Sequence, residues 1–228
     1  MHIPLPFRVD RATGLAFAQA RAFGLVCAHD GTMPVASWLP FHLDYADDGA
    51  PSLSFHVARA NPLTEPNLRE RPWLVAVSDA DAYVSPRWYA SPQQVPTWLY
   101  RAVHMTGRVS AMPEAQLARH LDGLSAAFES ALAQQTPWTM EEVAAGRRAM
   151  LMGAITGFTM AIDRVEGSFK LNQHKSDADH VAVTEALALQ KQPAARQIAA
   201  DMRTMRPHAF AAPVSLDIET VTGEGNRP

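Results

Sequence analysis

A succession of strand-like runs between Phe23 and Ser110, each closed by turn residues, constrains this chain more than any other feature. Phe23-Gly24-Leu25-Val26-Cys27-Ala28 reads as a strand. Asp30-Gly31 follows as a hairpin turn, because glycine takes the positive φ that tight turns need. The returning strand, Met33 to Leu43, contains Pro34 and Pro40. Neither proline can donate a ladder hydrogen bond, so each is expected at a strand end, an edge or a bulge. Ser52–Ala58, Trp73–Ser78 and Tyr100–Ser110 continue the pattern, with the aromatic stretch Ala82–Tyr89 among them. Strands joined mostly by hairpins favour an antiparallel barrel over a parallel α/β sheet.

Helical spacing appears at the margins. Asp10 can cap a helix over 11–21 with Leu15, Ala18 and Ala22 on its apolar face. Leu117, Leu121, Leu124, Phe128 and Leu132 form a stripe on a helix starting near Pro113. Thr139-Met140-Glu141-Glu142 has the pattern of a capping box opening a second helix, and its carboxylates suit a first turn. A last barrel strand is expected over Ile155–Val165, then helices over 177–190 and 194–205. The tail from Pro207 has weak periodicity and reads as partly extended or mobile. The chain therefore reads as mainly β with α (α+β): a barrel domain over 1–175 and a helical extension with its tail over 176–228.

Composition narrows the functional classes. A formal charge of −3 over 228 residues argues against broad, charge-driven nucleic-acid binding, while leaving room for a local basic pocket. Cys27 is the single cysteine, so no intrachain disulfide can form and a reducing, cytoplasmic setting is expected. Met1 to Pro6 lacks the pattern of a signal peptide, and no apolar run approaches the roughly 20 residues of a membrane span. The nine histidines show no zinc-like spacing, so no metal site is expected. There is no phosphate loop of the GxxxxGK type and no Ser-His-Asp order, and no catalytic acid or base is assigned.

Three segments carry chemistry. In Phe55-His56-Val57-Ala58-Arg59-Ala60-Asn61-Pro62 a strand ends, an arginine follows, and a helical segment running toward Arg69 opens with Asn61 as cap. Free amides at a helix start suit a phosphate, and arginine can bind one bidentately. Capping alone also explains Asn61. In Gly167-Ser168-Phe169-Lys170-Leu171-Asn172-Gln173, lysine and glutamine can hold a phosphate or a heterocycle, or simply line a solvated loop. Tyr83, Trp88, Tyr89, Trp98 and Tyr100 offer faces for a planar cofactor, though strand aromatics more often build cores and interfaces. His42, His56 and His104 each fall in a strand, where one could serve as a flavin contact, general base or haem ligand, though a hydrogen-bonded structural histidine is the simplest role for each.

Taken in order, several segments resemble the PaiB-like family of FMN-binding negative transcriptional regulators, within the pyridoxamine-phosphate-oxidase-like split barrels. They are Phe23-Gly24, Ala36–Phe41, His56–Pro62, Ala82–Tyr89, Val95–His104 and Gly157-Phe158 through Gln173. The resemblance spans about residues 1–190 and implies an FMN-binding split β-barrel that forms a homodimer with FMN at the subunit interface. It makes Arg59 and Asn61 the leading phosphate contacts and adds Lys170 and Gln173, the latter two from either subunit. Ser37 and Thr97 become secondary hydrogen-bonding residues, and Trp98 lies near the ring system. The family pattern usually has histidine at Trp38, asparagine at Leu99, and Ser-Gln-Asn-Arg at Asn172-Gln173-His174-Lys175. The functions implied are a negative transcriptional regulator or a small FMN-dependent NAD(P)H oxidoreductase, with a haem-binding or cofactor-free split barrel as further alternatives.

Overall fold

The computed structural model describes residues 1–46, 48–132 and 136–211. The expectation for the tail lies largely outside the described residues; Pro207–Phe210, which fall within them, form one 3-10 turn. Seven strands build one antiparallel sheet: β1 (Arg8–Val9), β2 (Phe23–His29), β3 (Pro34–Tyr45), β4 (Pro51–Ala58), β5 (Trp73–Val84), β6 (Thr97–Ala111) and β7 (Ile155–Lys170). Their order is β1-β7-β4-β3-β2-β5-β6, and an additional β6–β7 pairing closes the sheet into a barrel. Among the described residues, five α-helices accompany it: α1 (Arg11–Arg21), α2 (Glu114–Glu129), α3 (Ala145–Gly153), α4 (Asp177–Ala188) and α5 (Pro193–Met205).

Local chemistry explains most boundaries. The Asp10 carboxylate accepts the Thr13 N–H at 2.7 Å and starts α1. Ala22 ends it in the left-handed region at φ 48°, so it caps the helix instead of extending its apolar face. Pro34 opens β3, and Pro40 faces Phe23 just before pairing with β4 begins, so both avoid an interior ladder. The β2–β3 turn is held by Asp30, whose carboxylate accepts N–H groups of Thr32 and Met33. These bonds hold its pKa down at about 2.

Four sequence expectations change. β5 runs through a bulge between Ser78 and Asp81 and takes in the start of the aromatic stretch. β7 continues to Lys170, so Gly167–Lys170 are strand and not loop. The capping box at Thr139 opens only the 3-10 turn Met140–Glu142, and α3 begins separately at Ala145. Phe128 and Leu132 are about half exposed, because the burial of α2 stops at Leu124 after Leu117 and His120, and the helix ends at Glu129 before Leu132.

Two apolar clusters result. One fills the barrel, with Phe41, Phe55, Trp73 and Phe158 at its centre. The other lies where the β5–β6 ribbon passes the barrel and meets α4 and α5, built from Val84, Leu99, Val183, Leu187 and Ile198. The bulge at Asp79–Ala80 permits the second cluster. Before it the odd-numbered Val75 and Val77 face inward; after it the even-numbered Ala82 and Val84 are buried beside Leu99.

Candidate functional site

Four of the seven sequence-predicted site residues form two polar pairs, and Arg59, Trp98 and Gln173 take other partners. Ser37, in the middle of β3, accepts a hydrogen bond from the Asn61 side-chain amide at 3.0 Å. The Asn61 carbonyl oxygen accepts the Leu63 N–H at 2.9 Å. This capping was expected, but the segment it caps is only the 3-10 turn Pro62–Thr64. A turn of three residues has almost no dipole, so the helix-terminus part of the phosphate argument is lost and the side chains must carry it.

Arg59 follows β4 and donates through Nε to the Gly153 carbonyl at 2.8 Å, with Nη2 3.5 Å from the Ile155 carbonyl. It borders a cavity of about 360 Å³ with Met112, Leu117, Met152 and Gly157. Its side chain thus points toward the α3–β7 junction, away from the partner that Asn61 takes on β3.

The second pair joins the start of β6 to the end of β7. Lys170 donates from Nζ to Thr97 Oγ1 at 2.5 Å and lies 5.8 Å from the Phe7 ring centroid. Among the described residues neither Arg59 nor Lys170 has a carboxylate within ion-pair distance. Gln173 is nearby in sequence but serves its own turn. Its oxygen accepts the Leu171 N–H at 2.7 Å, and its amide donates to the Phe169 carbonyl at 2.5 Å.

Trp98 alternates to the side opposite Leu99, half exposed and edge-on to Tyr83 with 6.2 Å between ring centroids. Leu99 is fully buried in the second cluster, where an asparagine amide would be costly unless hydrogen-bonded. Trp38 projects from the outer face of β3 and stacks on Phe23, with centroids 5.9 Å apart and planes 9° apart.

The histidines are tied to packing. His56 Nδ1 and His120 Nε2 are 3.1 Å apart where α2 lies on the sheet. Burial lowers the pKa of both, that of His120 to about 4, where the charge of His56 adds to the effect. His42 bonds Asp44 at 2.9 Å, and Ser54 donates to the same carboxylate. No group of three or more ligating side chains that could hold a metal occurs among the described residues.

A family model described as "Putative FMN-binding domain" matches residues 1–164. The chain belongs to this family. The Bacillus subtilis (strain 168) protein named Protease synthase and sporulation protein PAI 2 is 30% identical over 200 residues, spanning 87% of this chain and 95% of its own. Among solved structures, a conserved hypothetical protein from Mycobacterium tuberculosis superposes with a TM-score of 0.52 at 14% identity, covering 77% of this chain and 94% of that one. A FAD- and haem-binding protein from Mycobacterium smegmatis gives 0.50 at 20% identity, covering 71% of each. The fold is an FMN-binding split barrel, and the cofactor is a flavin.

Two features lay beyond sequence reasoning. His120 sat at helix spacing between Leu117 and Leu124, so only its polar identity on an apolar stripe marked it. Asp79, Arg101 and Asp201 form an ionic cluster joining β5, β6 and α5 across about 100 residues of chain, and no local pattern announces such a contact.

Proposed function

We propose that this protein is a homodimeric FMN-dependent regulator of gene expression, with Ser37, Arg59 and Asn61 of one subunit and Thr97, Trp98 and Lys170 of the other holding the flavin. The observation that carries the reading is a pair of cations, Arg59 and Lys170, that are held by uncharged oxygen partners and have no ion pair among the described residues, with Glu114 on the same cavity wall as Arg59. A phosphate dianion is the natural counter-charge for such groups. The Thr97 hydroxyl supplies a neutral hydrogen bond beside Lys170, while the Ser37 hydroxyl and the Asn61 amide form a separate polar pair on the β3 side of Arg59. Gln173 is a positioning residue that fixes the turn after Lys170.

FMN supplies one- and two-electron redox chemistry when bound. The protein's part is to bind the phosphate, orient the ring against Trp98, and limit solvent access to it. Dimerisation is supported by the outer barrel face, where Phe23, Leu25, Cys27 and Trp38 lie partly or largely exposed. The regulatory role rests on the relationship to the Bacillus protein and its sporulation name. With a net charge of −3, regulation through a ligand-biased dimer fits better than a basic recognition helix.

The test is FMN titration followed by flavin fluorescence. Arg59→Ala and Lys170→Ala are each expected to weaken FMN by about tenfold or more, the scale of one charge-assisted contact. Unchanged affinity in both variants overturns the phosphate assignment. Gel shifts at stated salt, with and without FMN, test direct DNA contact. Anaerobic mixing with NAD(P)H tests the oxidoreductase reading, which predicts bleaching of the flavin.

A further inference from the structure

The β5–β6 ribbon does more than extend the barrel. Past the bulge, Tyr83 and Trp98 pair across the ribbon, each about half exposed, at the rim of the second cluster. A cavity of about 480 Å³ opens here, walled by Tyr83, Trp88 and Trp98 and closed by Gln190 and Gln192 from the α4–α5 connection. A second hollow of about 420 Å³ shares Asp81 and Trp98 with it and reaches Asp79 and Arg101.

Charge on these walls is lopsided. Asp81 lines both hollows, and no ion pair or hydrogen bond engages its carboxylate among the described residues. Arg101 is the single cation in either wall. It is shared between Asp79 and, at 3.2 Å, Asp201, so its one charge answers two carboxylates. It is also held between the rings of Phe17 and Phe169, at 5.1 and 5.7 Å from their centroids. Asp79 Oδ1 is buried without a hydrogen-bond partner. The floor therefore carries net negative charge, and the aromatic walls present electron-rich faces. The amino end of α5, at Ala194 and Ala195, places a partial positive charge at the far end of the cavity, which directs a cation toward Asp81.

We propose that this cavity is a binding site for an organic ammonium ion carried on a flat apolar body, with the ammonium at Asp81 and the body between Trp98, Tyr83 and Trp88. The site goes beyond the flavin reading and shares only Trp98 with it. Loss of FMN binding would leave Asp81, Trp88 and the glutamines in place.

Calorimetric titration of the full-length protein with three probes of one shape tests the proposal: phenethylamine, 2-phenylethanol and 3-phenylpropionate. The amine is expected to bind about tenfold more tightly than the alcohol, the scale of one cation–carboxylate and cation–π contact set, and the carboxylate more weakly than either. Asp81→Asn should remove that advantage and leave the alcohol unchanged, and Trp98→Leu should weaken amine and alcohol together. Asp81 is exposed, so its variant is expected to keep the parent's melting temperature. Equal affinity for all three probes, tighter binding of the carboxylate, no binding of the amine, or an Asp81→Asn variant that keeps the full preference would each overturn the proposal.

Discussion

Gly107 sits where β6 and β7 change register, between Thr106 and its own pairing with Ile162. A Cβ built there would lie 1.8 Å from the Ala161 carbonyl oxygen, a backbone atom that cannot swing aside. Gly107→Ala must therefore push the two strands apart, and it is expected to cost about 3 kcal/mol or more, read as a fall in the urea midpoint. Some single residues were legible in the sequence for the same kind of reason. Asp10, Asp30 and Asn61 all cap or turn the chain as their side-chain chemistry demands. Gly107 was not, since nothing local says that a glycine inside a strand faces a close backbone approach from a segment more than 50 residues away.

At the scale of elements, α2 is the helix with a titratable seat. Its His120 meets His56 of β4, with His42 and Asp44 of β3 close enough to perturb it, and Ser54 of β4 donating to Asp44. Burial and the charge of His56 depress the His120 pKa to about 4, against 6.5 for a free imidazole. A depressed imidazole binds protons more readily in the unfolded chain, so stability rises with pH across this window. The contribution is fully present above about pH 6.5, is lost as pH falls toward 4, and amounts to at most about 3 kcal/mol. Urea midpoints at pH 7.5 and pH 5 are expected to differ in the parent and to differ less in His120→Leu. An unchanged gap would place the pH dependence elsewhere. The sequence located α1, α2, α4 and α5 to within a few residues, although α4 buries the mixed face Asp179, His180, Val183, Thr184 and Leu187 instead of an apolar stripe. It missed the full reach of β5, which continues past the bulge at Asp79–Ala80, and of β7, whose last residues pair with β6 about 70 residues earlier in the chain. The capping box at Thr139 was a correct local signal with a short outcome, since the turn it starts stops at Glu142.

For the whole molecule, the barrel's outer surface argues for a second subunit. Register pairing sets Trp38, Leu25 and Ala76 in one row across β3, β2 and β5, and Ala36, Cys27 and Leu74 in the next. Both rows alternate away from the core residues Val26 and Val75, so they form a continuous apolar outer face with Trp38 more than half exposed. Such a face is unusual on a monomer of this size and suits a self-complementary interface. Leu25→Asp places a charge at its centre without touching the barrel interior. It is expected to convert a dimer to a monomer in sedimentation velocity while the far-ultraviolet circular dichroism stays that of the parent. The same substitution should lower FMN affinity if the two polar pairs, one on β3 and one at the β6–β7 end, meet only across that interface. A monomeric variant that keeps full FMN affinity would place both pairs around flavins held within single subunits. A parent that already sediments as a monomer would leave the regulator reading without its dimer.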